Sequence, residues 1–153
     1  MLDELDTAIL RELLTNARAT NRAVAAAVGV SPTTALDRTR ALQRRGVITG
    51  ASLEVDLQAV GRGVQALIAV RIRPPSRDRI EAFRDWSSRQ PEVLGVFVTS
   101  GNEDFLLQLA VADNDAVYAF VVDRLTTRRE VADVRTSFVY EHLQRAPAPL
   151  ERG

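Results

Sequence analysis

The sequence predicts an α+β protein in two parts: a helical N-terminal third, then a mixed remainder whose elements run β-α-β-β-α-β. Three observations carry that reading. Apolar residues recur at helical spacing before residue 46. A Gly29-Val30-Ser31-Pro32 break interrupts the helical stretch. Two-residue alternation of apolar side chains begins at residue 65.

The first helix is expected from about Glu4 to Thr15. Asp3 is its N-cap, and Asp6 takes the place of a capping-box acid. Leu2, Leu5, Ile9 and Leu13 form its apolar stripe. Thr20 caps a second helix over Asn21–Val28, rich in alanine and closed by Gly29, which accepts positive φ without a Cβ penalty. Ser31-Pro32 is an N-cap followed by proline at the first helical position, and it starts a third helix that runs to Arg45, with Gly46 as its stop. Ala35, Thr39 and Leu42 face inward, leaving Thr33, Thr34, Asp37, Arg38, Arg40 and Arg44 outward.

Two short helices joined by a small glycine-containing turn make a helix-turn-helix, whose second helix enters the major groove with its N-terminal residues near base edges. Around Ser31, this makes Thr33 and Thr34 candidates for base reading, with Asp37 beside them. Arg38 is a candidate for guanine or phosphate, and Arg40, Arg44 and Arg45 for phosphate. Residues 1–50 hold seven arginines against five acids, a net charge of only +2, so one copy is a weak binder and affinity calls for several copies acting together.

The fold class is thus a (winged) helix-turn-helix followed by the α+β remainder; from Val47 to Val55 the chain reads as an extended segment with a glycine inside it, and Gly61 and Gly63 then break it. These features divide the chain into a DNA-binding domain over 1–50, a linker over 51–63, a second domain over 64–145 and a loose tail over 146–153. The first strand of the second domain is expected over 65–73, with Ala66, Ile68, Val70 and Ile72 on one face. Pro74-Pro75 ends it, and Ser76 caps a helix with Ile80, Phe83 and Trp86 inward. Strands follow over Val93–Thr99 and Phe105–Ala112, joined by a Ser100-Gly101-Asn102-Glu103 turn. Asp113 caps the last helix, with Ala116, Val117, Phe120, Val121 and Leu125 as its stripe, and a final strand covers 131–141. That order is the ferredoxin-like arrangement.

Composition narrows the chemistry. There is no cysteine, hence no disulfide, thiolate metal site or cysteine nucleophile. No membrane span or signal peptide is visible, which makes the cytoplasm the expected compartment. The single histidine, His142, lies beyond the last strand, and no Walker loop or dinucleotide fingerprint occurs. Glu103 and Asp104 are sequence neighbours that point to opposite sides of an extended segment, a poor acid/base or metal pair. No catalytic residue, metal or cofactor is expected.

The chain resembles the Lrp/AsnC family of regulators over nearly its whole length. The resemblance rests on Leu2-Asp3-x-x-Asp6-x-x-Ile9-Leu10, on Ala25-x-x-Val28-Gly29-Val30-Ser31-Pro32-Thr33, and on Arg38-x-x-x-Leu42-x-x-x-Gly46-Val47-Ile48-Thr49-Gly50. In the second domain it rests on Ser100-Gly101-x-x-Asp104-Phe105-Leu106-Leu107 and on the strand order, similar to the amino-acid-metabolism regulation domain. The resemblance implies a transcription regulator that binds double-stranded DNA, a homodimer built through the C-terminal sheets and often assembled into octamers, and an effector, usually an amino acid, held at contacts between dimers. It carries effector roles to Ser100, Gly101, Asn102 and Asp104 in the turn and to Ser137, Phe138 and Val139 in the last strand. A glycine-containing turn can present amides to a carboxylate, and Asp104 can face an ammonium group; the plain alternative is a hairpin that Asp104 stabilises. The chain departs from the family at Arg129-Glu130, where relatives carry proline-glycine. Two alternatives stand beside the regulator: a sirohaem-decarboxylase-like enzyme on the same architecture, which a single histidine disfavours, and an architectural DNA-binding protein without an effector.

Overall fold

A computed structural model describes residues 2–144. The tail expected over 146–153 lies outside the described residues. The chain divides into two compact units: Glu54–His142 forms one, and the residues before Glu54 group with those from Leu143 onward in the other.

The first unit is three helices, α1 (Glu4–Thr15), α2 (Asn21–Val28) and α3 (Pro32–Arg44). Each starts on a side-chain cap. The Asp3 carboxylate accepts from the Asp6 amide, the Thr20 hydroxyl from Ala23 and the Ser31 hydroxyl from Thr34. Gly29 closes α2 at φ 74°, in the left-handed region, so the chain reverses without strain before Ser31. Ile9, Leu10, Val24, Ala25, Ala35 and Leu42 form the core, and Ile48 packs against it. The segment read as extended over 47–55 forms no strand. No strand is present among the described residues of this unit. The amides of Val47 and Ile48 instead donate to the Leu42 carbonyl, folding the chain back over the end of α3.

The second unit contains β1 (Val64–Ile72), α4 (Arg77–Ser87), β2 (Val93–Val98), β3 (Phe105–Val111), α5 (Asn114–Ala119) and β4 (Val131–Val139). The four strands form one antiparallel sheet in the order β2-β3-β1-β4. Ala66, Ile68, Val70 and Ile72 of β1 and Phe105, Leu107, Leu109 and Val111 of β3 point to one face. There they meet Phe83 from α4 and Val117, Phe120 and Leu125 from the second helical segment. The opposite face carries Leu67, Ala69, Leu106 and Phe97, and Phe97 is 53% exposed.

The last helix differs from expectation. After Ala119 it widens into a π-helical segment, Phe120–Leu125, and the Thr126 amide reaches back five residues to the Val121 carbonyl. A π turn advances about one residue more than an α turn. Phe120 and Leu125, five apart, therefore both reach the core.

Trp86 packs as a core residue, with its ring 5.5 Å from Phe83 and 6.3 Å from Phe120. The Arg128 guanidinium lies over it at 4.4 Å and pairs with Glu130 just before β4. Burial by itself raises the Glu130 carboxyl; the hydrogen bond from its own amide and the charges of Arg128 and Arg79 outweigh burial and hold it below the ordinary 4.5. A depressed carboxylate contributes stability above its unfolded value and loses that contribution as pH falls through its folded value. Glu130→Gln is therefore expected to be less stable than the parent near neutral pH, with the gap closing below about pH 4.5. Urea titrations followed by Trp86 fluorescence at several pH values check this; a gap that persists on acidification counts against it.

Candidate DNA interface and effector site

Helix α3 presents two adjacent stripes. Thr33, Asp37, Arg40 and Arg44 follow at spacings of four, three and four, and all four are exposed. Thr34, Arg38 and Arg45 lie on the neighbouring stripe, and here the structure departs from expectation. Arg38 does not stand free on the outward face. Its Nη1 pairs with Asp3 and lies 3.2 Å from Asp6. Arg45 Nη1 lies 3.0 Å from the other Asp6 oxygen. Asp6 is buried, so a carboxylate on α1 gathers one guanidinium group from α3 and one from its C-cap residue. The capping-box role expected of Asp6 is thus only half present: its amide donates to Asp3, but its carboxylate turns to the arginines. A buried carboxylate without such partners is costly, and two charged donors satisfy it better than one backbone amide.

At the start of α3, the Ser31 hydroxyl caps the helix and shares a 2.8 Å hydrogen bond with the Thr34 hydroxyl. Thr33 beside them has no such commitment among the described residues and is exposed. Arg18 and Arg22, near the start of α2, are exposed as well. The sequence reading does not select them, although the first helix of a helix-turn-helix crosses the DNA backbone.

Asp3 is held below its ordinary 3.8, first by the Asp6 amide and then by Arg38. The same contacts raise Arg38, so it stays charged.

In the second unit, the turn between β2 and β3 is bound tightly to the end of β1. Gly101 sits at φ 119°, which favours glycine. The Thr99 amide and hydroxyl donate to the carbonyls of Asp104 and Glu103. Asp104 continues the ladder past the end of β3: its amide donates to Val70, and its Oδ2 accepts from the Ile72 amide at 2.7 Å. Arg73 approaches the same oxygen at 3.5 Å. Arg71 donates to the Asn102 carbonyl and Arg135 pairs with Glu103, both partners that the sequence reading misses.

Ser137, Phe138 and Val139 are not beside this turn. They pair with Leu67, Ala66 and Gln65, whereas the turn adjoins Val70 and Ile72. At about 3.3 Å per residue, three to seven residues of strand put roughly 10–23 Å between the two groups. Phe138 also shares the helix-covered side with Ala66, while Ser137 and Val139 share the other side with Leu67 and Gln65. One chain does not gather the seven candidate effector residues into one pocket.

Residues 2–43 match the family model described as AsnC-type helix-turn-helix domain, and residues 65–149 match the Lrp/AsnC ligand binding domain. The chain belongs to the Lrp/AsnC family. Among curated relatives, the transcriptional regulator AldR of Mycolicibacterium smegmatis is 39% identical over 149 residues, covering 97% of this chain and 86% of the relative. A crystal structure of a transcriptional regulator of Neisseria meningitidis in complex with L-Met superposes with a TM-score of 0.89 at 33% identity, covering 98% of this chain and 97% of that one. AsnC of Escherichia coli gives a TM-score of 0.87 at 25% identity, covering 97% and 99%. This Lrp/AsnC chain is therefore a helix-turn-helix transcription regulator. Among the described residues no helix is long and apolar enough to cross a membrane, and no group of three or more acids and histidines is placed to hold a metal.

The Asp6 cluster makes a direct prediction. Asp6→Asn keeps the shape but leaves two guanidinium groups short of a charge. It should lower the stability of the N-terminal unit by about 1.5–3 kcal/mol, the range for hydrogen bonds to charged groups. Thermal and urea unfolding followed by helical circular dichroism measure it, and an unchanged midpoint would remove the cluster from the stability of α1 on α3.

Proposed function

We propose that this Lrp/AsnC regulator reads operator DNA with the exposed stripe of α3 and that an amino-acid effector switches its binding or assembly. The observation that carries the first part is the Thr33-Asp37-Arg40-Arg44 stripe, exposed along a helix whose start is fixed by the Ser31 cap. Thr33 and Thr34 read bases, Asp37 selects against a wrongly placed phosphate, and Arg40 and Arg44 neutralise backbone phosphates. Arg38 and Arg45 act through Asp6, setting the angle of α3 rather than contacting a base. The protein works as a cytoplasmic regulator with no catalytic step.

The second part is supported by the open face of the sheet and by the split effector residues. Leu67, Ala69, Leu106 and Phe97 lie on the side away from α4 and α5. A second copy covers such an apolar face and makes a homodimer. Assembly beyond the dimer then brings the turn of one chain toward Ser137–Val139 of another. The Neisseria relative crystallised with L-Met supports an amino acid as the effector class.

Fluorescence anisotropy with a labelled operator duplex tests both parts. Arg40→Ala and Arg44→Ala should each weaken specific and random DNA alike and flatten the dependence of log K on log salt by about one unit. Thr33→Ala with Thr34→Ala should reduce the preference for operator over random DNA more than it reduces random binding. Equal losses on both duplexes contradict base reading by the threonines. In the same assay, at least one free amino acid should shift the parent curve, and Asp104→Ala should abolish that shift while the protein still binds DNA. A variant that responds as the parent does moves the effector away from the turn.

A further inference from the structure

Helix α3 carries a single acidic residue, Asp37, and it stands exposed on the stripe with Thr33, Arg40 and Arg44. Nothing in the fold accounts for it. Ser31 already supplies the cap, and Asp37 lies beyond the first turn, where the positive end of the helix no longer acts. Arg38 beside it is committed to Asp3 and Asp6. Among the described residues Asp37 has neither an ion-pair nor a hydrogen-bond partner. Aspartate is also one of the poorer helix formers. The fold gains nothing from this residue, yet it sets a negative charge on the stripe assigned to DNA.

A carboxylate brought against DNA is repelled by every phosphate, so a hydrogen-bond donor has to offset that repulsion. An ionised carboxylate only accepts hydrogen bonds. In the major groove guanine offers two acceptors, and thymine offers an acceptor and a methyl group. The amino groups of adenine and cytosine are the donors. In an A·T pair the amino group lies between two acceptors, adenine N7 and thymine O4. In a C·G pair the cytosine N4 group has an acceptor on one side only. The cytosine edge is therefore the least repulsive to a carboxylate. We propose that Asp37 reads one cytosine in each half of the operator by accepting the major-groove hydrogen of N4. The proposal rests on α3 as the recognition helix.

The spacing fits. Thr33 and Asp37 are one turn apart, about 6 Å along the helix axis, close to two base steps of about 3.4 Å. The threonines and Asp37 thus address different bases. Asp37 also acts with two signs, attraction to one base and repulsion from every phosphate. On DNA without the cytosine only the repulsion remains. The residue sharpens choice by weakening the wrong complex as well as by holding the right one.

The test uses the full chain and a pool of duplexes with a randomised core. The parent should enrich a sequence with cytosine fixed at one position of each half-site. Asp37→Asn should enrich adenine there, because a side-chain amide bonds adenine N6 and N7 together. Asp37→Ala should leave that position unselected and keep the rest of the sequence. On the parent's enriched duplex, Asp37→Ala should lose about tenfold in affinity, a typical cost of one wrong base pair, while its binding to random duplex tightens. N4-methylcytosine at the fixed position still pairs with guanine but carries a methyl group in place of the major-groove hydrogen. It should weaken the parent about tenfold and leave Asp37→Ala nearly unaffected. Circular dichroism confirms that each variant is folded. The proposal is overturned if the enriched sequence has no fixed cytosine, if Asp37→Ala enriches the same cytosine, or if N4-methylation weakens parent and variant equally; in each case the recognition-helix reading survives. A parent that enriches no sequence at all overturns both.

Discussion

The DNA-binding unit depends on one buried carboxylate. Asp6 reaches from α1 to Arg38 on α3 and to Arg45 at its C-cap, and Asp3 adds a second hold on Arg38. The apolar core of this unit is small, and a small core leaves the relative angle of its helices loosely specified. An ion cluster with fixed donors and acceptors supplies that angle. The same contacts divide the arginines of α3 by role. Those on the Thr34 stripe hold the helix in place, and those on the Thr33 stripe remain exposed. The cluster is neutral, two arginines against two aspartates, so the unit keeps only its modest net charge of +2 for phosphate, which fits binding by several copies.

In the second unit the corresponding constraint is β1. It lies inside the sheet between β3 and β4, and its alternation sets which residues of both neighbours meet the helices. Its end also anchors the β2–β3 turn, because Asp104 uses amide and carboxylate to continue the ladder to Val70 and Ile72. Asp104 is therefore a structural residue first. The hairpin-stabilising role that its sequence context suggests and an effector role are compatible, since only one of its oxygens accepts the Ile72 amide.

Much of this architecture is legible in the amino-acid sequence, for a definite reason. Caps and stops are local chemistry: Thr20, Ser31-Pro32, Asp113 and Gly29 act within a few residues, and each does what its type predicts. The inward faces of β1 and β3 are equally plain, because alternation is a local property. Features that depend on distant partners are not legible in this way. Helical spacing alone turns Arg38 outward; only the packing of α1 on α3 sets Asp6 beside it. The segment after Gly46 has a strand's composition, but no strand pairs with it among the described residues. The five-residue step from Phe120 to Leu125 is a visible hint of the π turn, yet it also fits the edge of an ordinary helical stripe. The distance between the Asp104 turn and Ser137 follows from strand register, which no single segment encodes.

That distance has a thermodynamic consequence. Under the proposed function, an effector that touches the turn of one chain and the last strand of another is bound by an assembly, not by a chain. Its apparent affinity then rises with protein concentration, and by linkage the effector in turn favours the assembled form. The regulator would read two quantities at once, the supply of the amino acid and its own abundance. A cell could retune the response to a nutrient by changing how much regulator it makes, with no change to the binding residues.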